Sequence, residues 1–217
     1  MSPTKTRVQG ARRSGGRIAG RRGGLPGRPD AAVSPATGWL AGARSVPSPN
    51  HDARPAGAAI ELLVVHHISL PPGRFSGDAI ERLFTNRLDA SAHPDFEPLR
   101  GLRVSAHFLV RRRGELLQFV DADARAWHAG ASRFLGREGC NDFSIGVELE
   151  GDGEHRFTEA QYRRLIRLLA ALRARYPLRW VAGHSDIAPG RKSDPGPWFD
   201  WARVLAAPEA AGLERPF

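Results

Sequence analysis

"AIELLVVHHISL", residues 59–70, is a continuous apolar run with β-branched Val64 and Val65 that closes on two adjacent histidines. Its length and composition are those of a buried strand. The chain then leaves any sheet at "ISLPPG". In sheet-based enzymes functional groups commonly emerge at strand ends, where a rigid element aims them into loops. Successive strand residues face opposite ways, so only one of His66 and His67 can point into a given site.

Working outward, "SGDAIERLFTNRL" (76–88) opens on Ser76, a capping residue, and has the spacing of a short helix. Residues 89–102 show no period and read as a long loop. "VSAHFLVRRRGELLQFVD" (104–121) is two strand-like runs around an Arg/Gly turn, a hairpin pattern. "ARAWHAGAS" (124–132) is loop-like, and "NDFSIGVELEG" (141–151) is another strand ending at Gly. "TEAQYRRLIRLLAALRARY" (158–176) is the clearest helix. Thr158 and Gln161 form a capping-box pattern, and Leu165, Ile166, Leu168, Leu169 and Leu172 make a broad apolar face. "RWVAG" adds a strand and "WFDWARVLAA" (198–207) a closing helix. No internal repeat is visible. The expectation is an α/β fold: a single domain over 37–207, with a mixed central sheet flanked by helices and a C-terminal tail at 208–217.

The chain has 217 residues, 41% of them hydrophobic, enough for one sizeable core. Its charge of +9 is unevenly placed. Residues 1–36 hold eight Lys or Arg against one Asp, and the remainder holds 24 basic against 22 acidic residues. The first 36 residues are rich in Gly, Pro, Ser and Arg and read as a disordered basic extension. Such a tail can contact nucleic acid or anionic lipid, but the nearly neutral folded body gives no expectation of a nucleic-acid partner. No run approaches the ~18–20 apolar residues of a membrane span, and no secretory signal is evident. Cys140 is the single cysteine and cannot form an internal disulfide, which fits a reducing, cytoplasmic home.

Eight histidines invite a metal reading. His51, His93 and His155 lie in polar segments and read as solvent-exposed, and His107 as a hydrogen-bonded core residue within a strand. His184 follows "RWVA" as His66 follows "LLVV". In "VAGHSDIAPGRKSDPGP" (181–197) Pro and Gly leave a rigid, irregular backbone, with Asp186 two residues and Asp194 ten residues beyond His184. Two His and one carboxylate are a recognised ligand set for catalytic zinc, and spacing leaves both acids open. Glu148 shares one strand face with Ser144, Gly146 and Glu150. An acid there is either solvent-facing or a catalytic base, and alternation alone favours solvent.

"LLVVHHISLPPG", "LRVSAHFLVRRRGELLQFV", "RAWHAG", "CNDFSIGVELEG" and "GHSDIAPGRKSDPGPWFDW", in this order, resemble the AmpD branch of the zinc N-acetylmuramoyl-L-alanine amidases, relatives of the peptidoglycan-recognition proteins. The resemblance runs from about Trp39 to about Leu205. It implies one zinc ion held by His66, His184 and Asp194, with Glu148 as the acid/base and Lys192 stabilising the oxyanion. It implies a muropeptide substrate bearing 1,6-anhydro-N-acetylmuramic acid, cleaved between the sugar's lactyl group and L-alanine in cytoplasmic cell-wall recycling. Such substrates carry carboxylates, so Arg103 and Arg137 are expected clamps, Trp127 a stacking surface, and His67 a further contact. Three positions depart from the branch: His67 where Asn is common, Gly139 where Arg is frequent, and Asp95 where Tyr is usual. The alternatives are a periplasmic amidase of the same superfamily and a peptidoglycan-binding protein without catalysis.

Overall fold

In the computed structural model, which describes residues 37–217, the run beginning at Leu62 is a central strand. The basic extension expected at 1–36 lies outside the described residues. A six-stranded sheet runs in the order β1 (Arg44–Ser45), β5 (Leu116–Gln118), β4 (Phe108–Val110), β9 (Ser144–Glu150), β3 (Leu62–Ile68) and β10 (Trp180–Gly183). The expected hairpin, β4 with β5, is antiparallel and the other pairings are parallel, so the sheet is mixed. Two short antiparallel ribbons stand apart: β2 (His51–Asp52) with β6 (Arg125–Ala126), and β7 (Arg133–Phe134) with β8 (Arg137–Glu138).

Period-2 alternation sorts the core into layers. Leu63 and Val65 of β3, with Ile145, Val147 and Leu149 of β9, pack against Leu165, Leu168, Leu169 and Leu172 of helix α2 (Glu159–Arg173). On the opposite face Leu62 and Val64 meet Ala182, Phe134 and Phe143. Beside them Leu109 and Leu117 cover Ile80, Leu83 and Phe84 of helix α1 (Ala79–Phe84).

The capping box of α2 forms in both directions: Gln161 N–H donates to Thr158 Oγ1 at 3.1 Å, and Thr158 N–H to Gln161 Oε1 at 3.0 Å. The cap expected at Ser76 does not form. Gly77, at φ +83°, turns the chain between them, and α1 begins after Asp78 with no side-chain cap. Residues 89–102 contain two 3-10 turns, Ala90–Ala92 and Pro94–Leu99. A helical turn α3 (His184–Ile187) follows β10, and α4 (Trp201–Leu205) lies within the expected closing helix. The segment expected as a C-terminal tail is docked on the domain. Ala210 and Leu213 are buried in the α2 layer, and Glu214 bridges to Trp180 beside β10.

One ion network is buried at the edge of this frame. Arg111 donates to Glu150 at 2.8 Å and to Glu81 at 2.7 Å, and Arg112 N–H donates to the second Glu150 oxygen at 3.0 Å. Glu150's side chain is 3% exposed, so removing its guanidinium strands a charge. Arg111→Met should destabilise the fold by roughly 3 kcal/mol, the low end for a broken buried pair because the Arg112 N–H remains. Urea unfolding of the two proteins measures it.

Candidate metal centre and active site

Three neighbouring parallel strands deliver the polar cluster. β3 and β9 pair so that His66 lies beside Glu148, and β10 ends with Gly183 beside Val65, placing His184 next in the chain. All three side chains therefore gather at the carboxyl ends of the strands, where open sheets commonly bind ligands. The ten-residue gap from His184 to Asp194 is closed by backbone bonds. Ser185 N–H donates to Asp194 O at 2.8 Å and Lys192 N–H to Ala188 O at 3.1 Å, so the segment doubles back over α3.

His66, His184 and Asp194 are all buried, and they are the cluster of potential metal ligands found among the described residues. His66 Nδ1 lies 3.0 Å from His184 Nδ1 and 3.0 Å from Asp194 Oδ2, and His184 Nδ1 lies 3.1 Å from the same oxygen. His184 Nε2 donates to Ala129 O at 3.0 Å, since a carbonyl only accepts; in the neutral ring this leaves His184 Nδ1 as a lone pair. That lone pair faces a carboxylate oxygen, an unfavourable meeting unless a cation lies between them. Burial lowers the His66 pKa to about 4 despite the nearby Asp194, so this ring is neutral near pH 7. Bonds of about 2.0–2.2 Å to a shared tetrahedral ion would hold ligand atoms roughly 3.3–3.6 Å apart. The observed triangle needs only a small expansion to reach that. Two imidazole nitrogens and a carboxylate oxygen fit a divalent transition metal with a coordination position left for water or substrate.

Glu148 is buried, which overturns the solvent-facing reading that alternation favours. On the same face of β9 the His128 ring covers Ser144 and Gly146. Glu148 Oε2 has no hydrogen-bond partner. Burial first, then the negative Asp194, pushes its pKa well above the carboxylate range, with Lys192 opposing. Lys192 is exposed at the rim and makes no ion pair among the described residues. Both line a cavity of about 260 Å³ that also exposes His66, His184 and Asp194. Leu70, Leu83, Phe84, Leu102, Val104 and Trp127 form its apolar wall.

A family model described as N-acetylmuramoyl-L-alanine amidase matches residues 56–197. The 1,6-anhydro-N-acetylmuramyl-L-alanine amidase AmpD of Escherichia coli is 57% identical over 176 residues, covering 79% of this chain and 96% of that protein. The chain belongs to the N-acetylmuramoyl-L-alanine amidase family. A crystal structure of a selenomethionine AmpD derivative superposes on the amidase with a TM-score of 0.75 at 56% identity, covering 78% of this chain and 96% of that one. Drosophila PGRP-LB, at 17% identity and a TM-score of 0.52 over 80% of this chain and 92% of that one, shares its fold.

Of the expected substrate contacts, His67 and Trp127 line the amidase's cavity, so both histidines of β3 border it, against the expectation that only one could, because the strand ends there. Arg103 is exposed beside it and is not among its lining residues. Arg137 is not among the lining residues: it donates to Glu61 at 2.8 Å and lies 3.8 Å over the Phe143 ring. Gly139, at φ +70°, occupies a left-handed turn ahead of Cys140, and Asp95 is exposed in a 3-10 turn. Arg191 is committed to the Ala129 and Ala131 carbonyls, at 2.8 and 2.6 Å.

Asp186 points away from the metal ligands. It accepts the Gly183 N–H at 2.8 Å and pairs with Arg215 at 2.9 Å, pinning the end of β10 to the C-terminal segment. One residue that sequence reasoning passed over is His128, whose Nδ1 lies 2.9 Å from His66 Nε2. Its only sequence signal is a ring nitrogen in a loop with no period.

The two acids of this segment are separable by measurement. Asp194→Asn should abolish bound metal, read by mass spectrometry of the purified protein. Asp186→Asn should keep the metal and lose about 1–2 kcal/mol of stability through its weakened charged bonds.

Proposed function

We propose that the amidase holds one zinc ion through His66, His184 and Asp194 and cleaves muropeptides between the lactyl group of 1,6-anhydro-N-acetylmuramic acid and L-alanine. The substrate class follows the activity named for the Escherichia coli relative. The observation that carries the reading is the convergence of these three ligand atoms within 3.1 Å, beside a buried carboxyl with an unpartnered oxygen.

A zinc ion held by His66, His184 and Asp194 would supply Lewis acidity for the scissile carbonyl and the attacking water. Glu148 accepts that water's proton and returns it to the departing L-alanine nitrogen. Its raised proton affinity suits both strokes, since a carboxylate in water is too weak a base to draw the proton far. Lys192 sits at the cavity rim with its ammonium uncommitted, ready to face the negative charge on the tetrahedral oxygen. The apolar wall formed by Trp127 and its neighbours gives the sugar face a surface to lie on and keeps water from the reacting atoms. Cytoplasmic peptidoglycan recycling is the setting we infer; among the described residues no helix is long and apolar enough to cross a membrane.

Chelator-treated protein should release no peptide from anhydro-muropeptide and should recover on adding zinc. Full activity without metal would overturn the mechanism. Glu148→Gln should keep its zinc yet lose about 10²–10⁴ in kcat. Mass spectrometry of products from anhydro and non-anhydro muropeptides, with and without zinc, tests bond and sugar preference together.

A further inference from the structure

We propose that His128 is a positioning residue that locks the proton of His66 on Nε2 and thereby keeps His66 Nδ1 open for the metal. The proposal rests on the zinc reading above and adds how the ligand set is kept ready for the ion.

The argument starts at a backbone carbonyl. Ser144 Oγ lies 2.6 Å from Cys140 O, which can only accept, so the hydroxyl proton lies on that bond. The same Oγ is 3.2 Å from His128 Nε2, and with its proton spent it accepts there, so His128 carries N–H at Nε2. Its Nδ1 is then a lone pair, 2.9 Å from His66 Nε2, and the contact is a hydrogen bond only if His66 carries its proton on Nε2. His66 Nδ1 is left bare, turned towards His184 and Asp194.

The competing tautomer has an evident attraction. A proton on His66 Nδ1 would donate to Asp194 Oδ2 at 3.0 Å, a charge-assisted bond that closes the ligand set on itself. It would also leave two lone pairs opposed at 2.9 Å, His66 Nε2 against His128 Nδ1, inside a buried cluster. The relay therefore tips the balance towards the metal-ready form.

Its parts are held in place from several sides. Asn141 Oδ1 accepts both the His128 N–H at 3.2 Å and the Ala129 N–H at 2.8 Å. One amide thus brackets His128 and the Ala129 carbonyl, the two acceptors that serve the histidine ligands. Gly146 leaves the space for the ring: a Cβ there would lie 2.4 Å from His128 Cγ. His107 packs edge-on, with ring centroids 5.7 Å apart.

The test uses the full chain stripped of metal, with long-range proton–nitrogen NMR of the imidazoles, and zinc affinity by chelator competition. Wild type should show His66 protonated at Nε2. His128→Leu should move that proton to Nδ1 and weaken zinc binding about 10–100-fold. His128→Asn, whose side-chain oxygen sits near the Nδ1 position, should restore both. His66 protonated at Nδ1 in the wild type, or a His128→Leu protein with unchanged tautomer and affinity, would overturn the proposal. The wild-type spectrum decides even if His128→Leu fails to fold. It also needs no zinc: a chain that bound none but kept His66 protonated at Nε2 would sink the metal reading and leave the relay standing.

Discussion

The parallel register of β10, β3 and β9 is the constraint on which the site depends. It places His66 beside Glu148 and sets His184 one step beyond the Gly183–Val65 pair. Slipping β3 by one residue would turn His67 towards the ligand cluster and His66 into the α2 layer. The core prevents that slip. Leu62, Leu63, Val64 and Val65 are at most 1% exposed, and each fully buried side chain of this kind is worth about 1.5–3 kcal/mol. The fit of Leu63 and Val65 to the α2 layer and of Leu62 and Val64 to Ala182, Phe134 and Phe143 holds the strand in place, and with it the choice of which histidine joins the ligand cluster.

In the other half of the site, segments 124–132 and 139–143 bury Ala126, Ala129, Cys140 and Phe143 and are tied together by polar groups as well. Arg54 donates to the carbonyls of Ala122, Asn141, Asp142 and Ser144, at 2.9–3.2 Å. Burial lowers its pKa to about 10, still high enough to keep the guanidinium charged near neutrality. Arg125 pairs with Asp52 and Asp142, joining β2 to the same turn. These bonds connect residues up to 90 positions apart. The Ala129 carbonyl and the His128 ring can then be presented to the ligands on a backbone that side chains, not a sheet, have made rigid.

What could be read from the sequence follows from this division. The apolar run at 62–68 and the faces and cap of α2 were legible, since burial writes a period into the chain. Ser76 misled because Gly77's left-handed turn intervenes before the helix begins. The choice of Asp194 over Asp186 could not come from spacing: both lie near His184, and only the fold-back of 188–194 and the Arg215 pair decide between them. His128 left no periodic trace, since its role depends on Ser144 and Gly146 arriving from another strand. Arg137 has the right charge for a carboxylate clamp, but Glu61 already provides the carboxylate.

Glu148 and Glu150 show how little composition alone says about chemistry. They are two residues apart on one face of β9, and both are buried. Glu150 has two guanidinium or backbone donors on its two oxygens, from Arg111 and Arg112, so its charge is matched and its function is structural. Glu148 has an oxygen with no donor from the protein and lines the cavity instead. That cavity also borders His66, His184 and Asp194. With no guanidinium or backbone N–H committed to it, the oxygen is free to exchange a proton with a water or a substrate nitrogen there, as the proposed acid/base role requires.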